Sequence, residues 1–595
     1  MTSKVSFIAL SFCYALMLYT AFCFYPRWKQ TKTEATISWD VSGYYMYLPA
    51  LFIYKDIKHC SFKDSILTTY APTPDFQQAF LHQASGNYVM KYSSGQAIMM
   101  LPYFLIAHSY CLLNSSFPAD GFSAPYQMAI GIGMLLYAFL GLFVLRKVLL
   151  TFFKDCTVAL LLLCYVVGSN YLNYSSIDQA MTHNVLFTIY SFILYCTIRF
   201  HKNPNFYLAI VLGILVGLAT LIRPTDILSI LIPLCWNIRS LKNLRGPFGF
   251  IQEHVLKYLL MLLFVFLIFF IQMLYWKYVA HEWFVYSYEK QGFSWFKPHV
   301  YNYTMSYACG WLRYSPMMIL PILGIIYYLI KGQHAVAIVF FILINAYIVM
   351  AWDIWDYGGT AGRAMVQSYP IMAFPFCLLI EYLQKIKWTS ILLYLTMLLF
   401  AYLNIWWTYH AHAGNIQVSG ITKEYFWKVV GTWNGTDEDK KLLDNPHVFY
   451  GIPKHKTLLY TNHFEKDTSL NTFSDGANKL IRINKELQSS ASYNIPYNPT
   501  VKKWIRATAT FHCIIKEWNT WKQAHFRIVF FEHEKEIQNN FIKIHRLINN
   551  GETQNIYIDA KAPASHWTRM SISFFHIDGE QELWVDDLKV ESFVD

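Results

Sequence analysis

The sequence predicts an α-helical polytopic membrane protein with a β-sandwich at its carboxyl end. Of the 595 residues, 55% are hydrophobic and only 14% are charged, whereas an average soluble domain has about 25% charged residues. Apolar runs of membrane-spanning length recur as far as residue 406. Beyond them, polar and apolar residues alternate with the period of a β-strand. These three observations define the fold class.

Twelve apolar segments are candidate spans, and the basic residues between them indicate which ones cross. Clusters of Lys and Arg follow several of these segments, and such clusters favour the cytoplasmic side. With the amino terminus inside, segment 97–114, which contains Pro102, must enter and return or lie at the outer face. The sequence therefore predicts about eleven spans, with the carboxyl terminus outside. The segments are 5–24, 97–114, 126–146, 157–172, 183–199, 206–222, 226–237, 256–279, 315–331, 335–351, 366–384 and 388–406.

The charge and cysteine patterns exclude several functional classes. The net charge of +11 does not indicate nucleic-acid binding, because many Lys and Arg residues occupy short gaps between apolar runs, as in cytoplasmic loops. The eleven cysteines show neither a CxxC pair nor metal-ligand spacing, so we expect them to act as small hydrophobes. No P-loop or GxGxxG motif occurs in the sequence.

The pattern predicts three regions. Residues 1–410 form the membrane domain, whose first outer loop is 25–125, and residues 411–454 form a linker. Runs such as "HFRIVFF", "NIYIDA" and "RMSISFF" have the alternation of half-buried strands. A β-sandwich is therefore expected from 455 to 595.

An acid follows the first apolar segment, in "ISWDVSGYYMYLPALF". Asp40 in this stretch is either a solvated acid past a helix end or part of a site. Gly43 permits close backbone approach, and Tyr44 and Tyr45 are aromatic residues with polar tips, suited to an interface. These neighbours, together with polar residues in the other outer loops, favour the functional interpretation.

Two further outer stretches carry charged or polar residues beside apolar segments. In "YVMKYSSGQAIMMLPYF", Lys91 is either a snorkelling anchor or a ligand for a lipid phosphate. In "NYLNYSSIDQAMTHNVLF", Asp178 is a second acid on the outer side. His183 opens the next helix, as a core or capping residue or as part of a site.

Arginines mark the last two stretches, "GLATLIRPTDIL" and "MAWDIWDYGGTAGRAMVQSYP". Arg223 either pairs with the nearby Asp226 or recognises phosphate. Arg363 can hold phosphate oxygens bidentately, and the glycines before it expose backbone amides to an anion. An interfacial aromatic belt explains the tryptophans better than it explains the glycines or the arginine. The remaining candidates for a sugar or lipid pocket in this loop are Trp352, Trp355, Tyr357, Gly358 and Gly359.

Acids and phosphate binders thus converge on the outer face, as suits a reaction between a lipid phosphate and a polar acceptor. Cleavage of a glycosyl phosphate needs charge stabilisation on the phosphate. The acceptor hydroxyl needs a positioned base, and a carboxylate can serve as one.

These motifs, in this order and on one side, resemble those of the GT-C glycosyltransferases, the class of protein O-mannosyltransferases and lipid A aminoarabinose transferases. The resemblance covers roughly residues 1–410 and rests on "SWDVSGYY", "KYSSGQAIMMLP", "SSIDQAMTHN", "GLATLIRPT" and "WDIWDYGGTAGRAM". Ser93 and Ser94 stand where such proteins commonly have Pro-Pro. The second loop has one acid, Asp178, rather than a DxD pair, which weakens the case for a metal.

The resemblance implies inverting transfer from a polyprenyl-phosphate sugar on the periplasmic side of a bacterial inner membrane. It implies Asp40 as the base, and Lys91 and Arg363 as candidates for the phosphate. We add Arg223 as a third phosphate candidate and Asp178 as a second catalytic candidate. It implies no covalently bound cofactor, leaves a divalent metal open, and leaves the acceptor as a glycan, lipid or protein. The closing "WVDDLKVESF" is similar to the last strands of carbohydrate-binding jelly rolls.

Two other functions remain open from the sequence. A flippase for lipid-linked saccharides would also use arginines and aromatics, but it favours polar residues near the middle of its helices. In this chain most charges in the apolar runs lie near their ends. A non-catalytic membrane scaffold that presents the sandwich would not require Asp40.

Overall fold

The computed structural model describes residues 4–595, apart from 239–244, 289–290, 357–361, 414–419, 434, 467, 470, 476–477, 499–500, 502, 514–522 and 577–581. The chain divides into two compact units, Met1–Ser419 and Gly420–Asp595. The first unit is helical, and the second is built mainly of β-strands.

The helices of the first unit follow the apolar runs. They are α1 (Lys4–Tyr19), α2 (Trp39–Tyr45), α3 (Tyr47–Phe52), α4 (Lys63–Tyr70), α5 (Gly95–Leu113), α6 (Ala124–Leu149), α7 (Asp155–Gly168), α8 (Tyr171–Ser176), α9 (Thr182–Lys202), α10 (Phe206–Ile222), α11 (Leu231–Cys235), α12 (Arg245–Glu253), α13 (Val255–Ala280), α14 (Val300–Met305), α15 (Trp311–Tyr314), α16 (Ile319–Lys331), α17 (Ala335–Ala351), α18 (Tyr369–Leu383) and α19 (Lys387–His412). A π-helical turn covers Thr20–Phe24, and 3₁₀ turns cover Arg27–Lys29, Lys32–Glu34, Pro224–Ile230, Pro316–Met318 and Arg363–Ser368. Strands β1 (Ala79–His82) and β2 (Asn87–Met90) form a hairpin in the first outer loop.

Among the described residues, six helices are long and apolar enough to cross a membrane. They are Lys4–Lys29, Gly95–Leu113, Ala124–Leu149, Val255–Ala280, Arg363–Leu383 and Lys387–His412. Five shorter apolar helices accompany them: Asp155–Gly168, Phe206–Ile222, Pro224–Cys235, Pro316–Lys331 and Ala335–Ala351. The predicted combination of apolar helices with a carboxy-terminal β region is therefore confirmed, while the number of spans stays a prediction.

Helix α5 packs against only the first part of α6. Near its start, Gln96 contacts Met134, and near its end Cys111 contacts Ser123. The two helices therefore run antiparallel, and α5 does not reach the basic end of α6 at Arg146. Helix α5 is itself long and apolar enough to cross a membrane, so the re-entry of segment 97–114 stays a prediction.

The second unit contains two antiparallel sheets around one core. Its elements are α20 (Lys423–Val429), α21 (Asp437–Lys441), β3 (Lys454–Asn462), β4 (Thr472–Asp475), β5 (Asn478–Ile483), β6 (Tyr493–Pro496), β7 (Trp504–Cys513), β8 (His525–Glu532), β9 (Lys535–Lys543), a 3₁₀ turn at Ile544–Arg546, β10 (Thr553–Lys561), β11 (Arg569–Phe575) and β12 (Leu583–Val594). One sheet has the order β10-β7-β12-β5-β4, with β3 also on β12, and the other has the order β6-β11-β8-β9. The ring of Phe511 on β7 lies 5.3 Å from that of Phe526 on β8, so side chains of both sheets meet in the core.

The expected linker 411–454 is largely part of this unit. Asp444 pairs with Arg546, and Asn445 donates to the backbone oxygen of Asp559 on β10. These contacts join residues from Gly420 onward to the sheets, so the compact unit begins about 35 residues before the predicted sandwich boundary at 455. The sequence pattern missed this because α20 and α21 are only seven and five residues long, too short to show a helical period.

Candidate active site

Helix α2 begins directly after Ser38 and carries Asp40 in its first turn. Trp39 has a φ of 47°, and its backbone N–H donates to Pro72 at 3.0 Å. The left-handed residue turns the chain into the helix at this point. It brings the Asp40 side chain, which is 26% exposed, to the wall of a cavity.

Gly43 allows a tyrosine to approach α2. A Cβ atom at this position would lie 2.7 Å from the ring of Tyr92, which is closer than real Cβ contacts allow. The Tyr92 hydroxyl donates to Asp40 Oδ1 at 2.8 Å, and its ring lies 4.4 Å from that of Tyr44. Gly43 thus fixes the polar wall around the carboxylate.

Arg363 reaches the same carboxylate from the other end of the first unit. It opens a 3₁₀ turn directly after Gly362, whose φ is +73° and whose missing Cβ leaves room for the ring of Trp311. Its Nη2 donates to Asp40 Oδ2 at 2.8 Å. The two residues are 323 positions apart in the sequence, so the pair joins two stretches from opposite ends of the unit's sequence.

The surroundings lower the pKa of Asp40 below its ordinary value. Burial by itself raises that pKa, but the charge of Arg363, the hydrogen bond from Tyr92 and the charge of Lys91 together outweigh burial. Burial and the neighbouring carboxylate raise the pKa of Tyr92 and of Tyr44. Asp40 is therefore an anion near neutral pH, and the tyrosines around it are neutral hydrogen-bond donors.

Lys91 and Arg223 come to the cavity through a helix contact. Gly95 opens α5 against the backbone of Leu221 and Ile222, at the end of α10. Lys91 precedes α5 and Arg223 follows α10, so this contact brings both cations to the cavity wall.

A buried relay orients His183. Tyr190 donates to Asp226 Oδ1 at 2.8 Å, and the amide nitrogen of Gln367 lies 3.3 Å from both oxygens of this carboxylate. Because an ionised carboxylate only accepts hydrogen bonds, the amide oxygen of Gln367 must face His183, whose Nδ1 is 2.9 Å away. The same His183 nitrogen lies 3.4 Å from Arg223 Nη1, so His183 joins the buried carboxylate to a cation of the cavity.

Seven of the predicted residues line this one cavity, whose volume is 310 Å³. They are Asp40, Tyr44, Lys91, His183, Arg223, Trp352 and Arg363. Within the described lining, the three cations exceed the one carboxylate by two positive charges, with the histidine counted as neutral. The remaining wall is apolar where Phe269 and Trp276 of α13 and Ile348 of α17 contribute to it. The cavity therefore suits an anionic group attached to an apolar chain.

Three other predicted residues that the structure describes are not part of the cavity lining. Asp178 pairs with Arg27 and accepts from Asn173 at 2.8 Å. Tyr45 is fully buried and donates to the backbone oxygen of Gly121. Trp355 lies with its ring 6.3 Å from that of His299. Tyr357, Gly358 and Gly359 fall outside the described residues.

Sequence reasoning missed several residues of the site. Tyr92 and Tyr288 line the cavity, and Gln367 stands behind it. Tyr92 adjoins Lys91, and Gln367 lies four residues after Arg363, which is one helical turn, so neighbouring positions offered a signal for both. Tyr288 follows α13 in a stretch without a recognisable motif.

Within the part of the chain that the structure describes, no group of three or more His, Cys, Asp or Glu side chains is arranged to hold a metal ion. No family model matches the chain, and no curated protein matches it.

Proposed function

We propose that the chain is an inverting glycosyltransferase of the GT-C type, which moves a sugar from a polyprenyl-phosphate donor to an acceptor hydroxyl. One observation carries this proposal: a carboxylate and three cations share a cavity that also has an apolar wall. A soluble sugar phosphate would not need that wall, and a hydrocarbon alone would not need the cations.

In this proposal the donor phosphate lies among Lys91, Arg223 and Arg363, where charge-assisted hydrogen bonds stabilise the leaving group. The prenyl chain follows the apolar wall formed by α13 and α17. The cavity volume of 310 Å³ is at the lower end of the usual range of about 300–1,000 Å³ for ligand sites. It suits a head group whose chain continues outside the cavity.

Asp40 acts as the base, and its ion pair couples donor binding to proton transfer. The Arg363 contact lowers the pKa of Asp40, which makes the carboxylate a weaker base before the donor arrives. A bound phosphate shares the Arg363 guanidinium, which offers five N–H donors. The positive field on Asp40 then weakens, and the carboxylate becomes more basic when the sugar is in place.

The proposal includes the orientation of the chain. With about eleven spans and the amino terminus inside, the cavity and the carboxy-terminal jelly-roll-like domain face the periplasm of a bacterial inner membrane. A reporter fused after Ser240 is then cytoplasmic, and one fused after Asn415 is external. A cytoplasmic reporter at Asn415 would contradict this orientation.

Direct transfer by the purified protein tests the function. The protein in nanodiscs receives a panel of polyprenyl-phosphate sugars labelled in the sugar, together with candidate glycan, lipid and protein acceptors. We expect release of polyprenyl phosphate that depends on an acceptor, and inversion at the anomeric carbon of the product. Movement of labelled lipid between leaflets of proteoliposomes without bond cleavage would instead establish the flippase. If the folded protein shows neither activity, the non-catalytic scaffold becomes the better description.

A further inference from the structure

A second concave site lies between α5 and α6 and shares no lining residue with the cavity around Asp40. Its volume is 1220 Å³, and its walls are mainly apolar side chains. Tyr103 and Ile106 contribute from α5, and Met128 and Leu136 contribute from α6. Ile106 is 64% exposed, so the site is an open groove on the outside of the helical unit.

The length of the groove matches one leaflet of a bilayer. It follows α6 from Ala124 to Leu136, a distance of about 18 Å at ~1.5 Å per residue. The hydrocarbon core of a membrane is about 30 Å thick, so one leaflet contributes roughly 15 Å. Both helices are long and apolar enough to lie in a membrane, which makes a lipid chain the natural occupant of the groove.

The lining of this groove includes two lysines. Lys29 and Lys32, both exposed, line it together with Gln30 and Thr31. An apolar trough whose lining includes two exposed lysines is complementary to a molecule with a hydrocarbon chain and an anionic head.

We propose that this groove binds an anionic glycerophospholipid, with one acyl chain between α5 and α6 and the phosphate at Lys29 and Lys32. Lysine attracts phosphate as a point charge, and the attraction does not depend on the exact head group. A zwitterionic lipid has the same chains but no net charge, so the lysines distinguish the two classes. The proposal does not rest on the transfer reaction, because the groove is separate from the cavity.

Photocrosslinking in nanodiscs tests this site with a defined probe. The full-length protein is reconstituted with a trace of phosphatidylglycerol that carries a diazirine in the middle of one acyl chain. We expect crosslinks concentrated on peptides that contain Tyr103, Ile106, Met128 and Leu136. Unlabelled phosphatidylglycerol should suppress them, and phosphatidylcholine should not.

Substitutions separate the contributions of the head and the chain. Lys29→Gln together with Lys32→Gln should lower the groove crosslink roughly 30-fold, at about fivefold for each lysine. The matched control is Lys385→Gln together with Lys387→Gln, because these two lysines are also exposed and lie outside the groove lining. This control should not change the groove crosslink. Met128→Trp narrows the groove and should reduce crosslinking, whereas Leu343→Trp, on an exposed face of α17, should not.

Three results would overturn the proposal. The first is crosslinks spread evenly over exposed apolar helices such as α13 and α19. The second is equal suppression by phosphatidylglycerol and phosphatidylcholine, which would show a chain site without charge selection. The third is an equal loss in both lysine pairs, which would show only a general attraction of anionic lipid to a basic protein. Thermal melting of each variant verifies that it is folded.

Discussion

An arginine and an aspartate pair in each unit of the chain, in different surroundings. In the first unit, Arg363 meets Asp40 through one nitrogen at 2.8 Å, and the two side chains are 18% and 26% exposed. In the second unit, Arg506 meets Asp559 through two nitrogens at 2.7 and 2.9 Å, and the aspartate side chain is 1% exposed. The bidentate pair has the geometry of a rigid contact, and the other faces a cavity.

The further partners of the two carboxylates show the same difference. Asp559 also accepts from the backbone of Phe449 at 3.2 Å, so it joins the start of the second unit to β7 and β10. Asp40 accepts from the Tyr92 hydroxyl and lines a cavity with two further cations. A carboxylate that holds segments together is saturated by the fold, whereas one that serves a reaction must be accessible to a ligand. The predictions below test this distinction.

The largest effect is expected on sugar transfer for Asp40→Asn. Asparagine keeps the size of the side chain but cannot take a proton from the acceptor. General-base catalysis contributes typically 10²–10⁴-fold, so kcat should fall by about this factor. Donor affinity should persist, because the cations of the cavity remain. Rates with labelled donor and equilibrium binding of the same donor measure the two quantities.

Asp559→Asn is the matched control for that variant, because it makes the same chemical change at the structural pair. It should leave the rate of transfer per folded molecule within about twofold, because Asp559 belongs to the other compact unit and not to the cavity lining. Near-normal transfer by Asp40→Asn would end the catalytic interpretation of Asp40.

The second prediction concerns stability. Removal of one partner from a buried ion pair costs about 3–5 kcal/mol, because the other charge stays buried without compensation. Asp559→Ala should therefore lower the free energy of unfolding of the second unit by about this amount. Hydrogen exchange of the β7 and β10 amides in the full-length protein measures it. Arg506→Met combined with Asp559→Leu should recover much of the loss; a double variant less stable than Asp559→Ala would contradict this account.

The third prediction concerns donor binding by Arg363. A hydrogen bond to a charged group contributes about 1.5–3 kcal/mol, so Arg363→Ala should raise the donor Kd roughly 10- to 100-fold. Arg363→Lys should restore only part of the affinity, since the planar fork is lost. Isothermal titration with a non-transferable donor analogue measures both variants. An unchanged Kd in Arg363→Ala would remove Arg363 from the phosphate site.

The sequence identified the charged residues of this site, but it did not predict how they are arranged. Asp40, Lys91, Arg223 and Arg363 stand out because charged residues beside apolar runs are costly and uncommon. Their meeting in one cavity depends on helix packing, including the contact of Gly95 with α10, which no local pattern encodes. The direct contact of Arg363 with Asp40 was not predicted for the same reason.

Elsewhere the limits of sequence reasoning have other physical causes. Most apolar segments were recognisable as helices because they are long and continuous, whereas the short segment 226–237 contains a 3₁₀ turn and the five-residue α11. The start of the second unit was not, because Asp444 and Asn445 belong to it through long-range contacts rather than through periodicity. Asp178 looked equivalent to Asp40 in sequence, because both are acids next to the end of an apolar segment. That local pattern does not show that Asp178 pairs with Arg27 while Asp40 lines a cavity.

The fourth prediction concerns pH. The pKa of Asp40 is lowered in the folded protein, so the stabilisation from its ionised form is present above the ordinary aspartate pKa of about 3.9 and is lost as the pH falls through the lower folded value. If Asp40 is the base, the acid limb of kcat/KM for the free enzyme lies below pH ~4. Arg363→Gln removes the largest cause of the lowering, so the acid limb should move to higher pH. If the acid limb of Arg363→Gln stays in place or moves to lower pH, a group other than Asp40 controls it.

The smallest effect is expected for a third pair, Arg27–Asp178, which lies in the first unit but outside the cavity. Arg27 also donates to Ser38 Oγ at 3.3 Å, and Ser38 directly precedes the helix that carries Asp40. The pair can therefore influence the reaction only through the position of that helix. A net hydrogen bond contributes about 0.5–1.5 kcal/mol, so Asp178→Asn should reduce kcat by no more than about tenfold, with donor affinity and the pH profile unchanged. Stability and transfer measured side by side separate this role from a direct one. If Asp178→Asn melts normally but loses as much kcat as Asp40→Asn, both acids act on the substrate. Asp178 would then not be a carboxylate that only holds segments together.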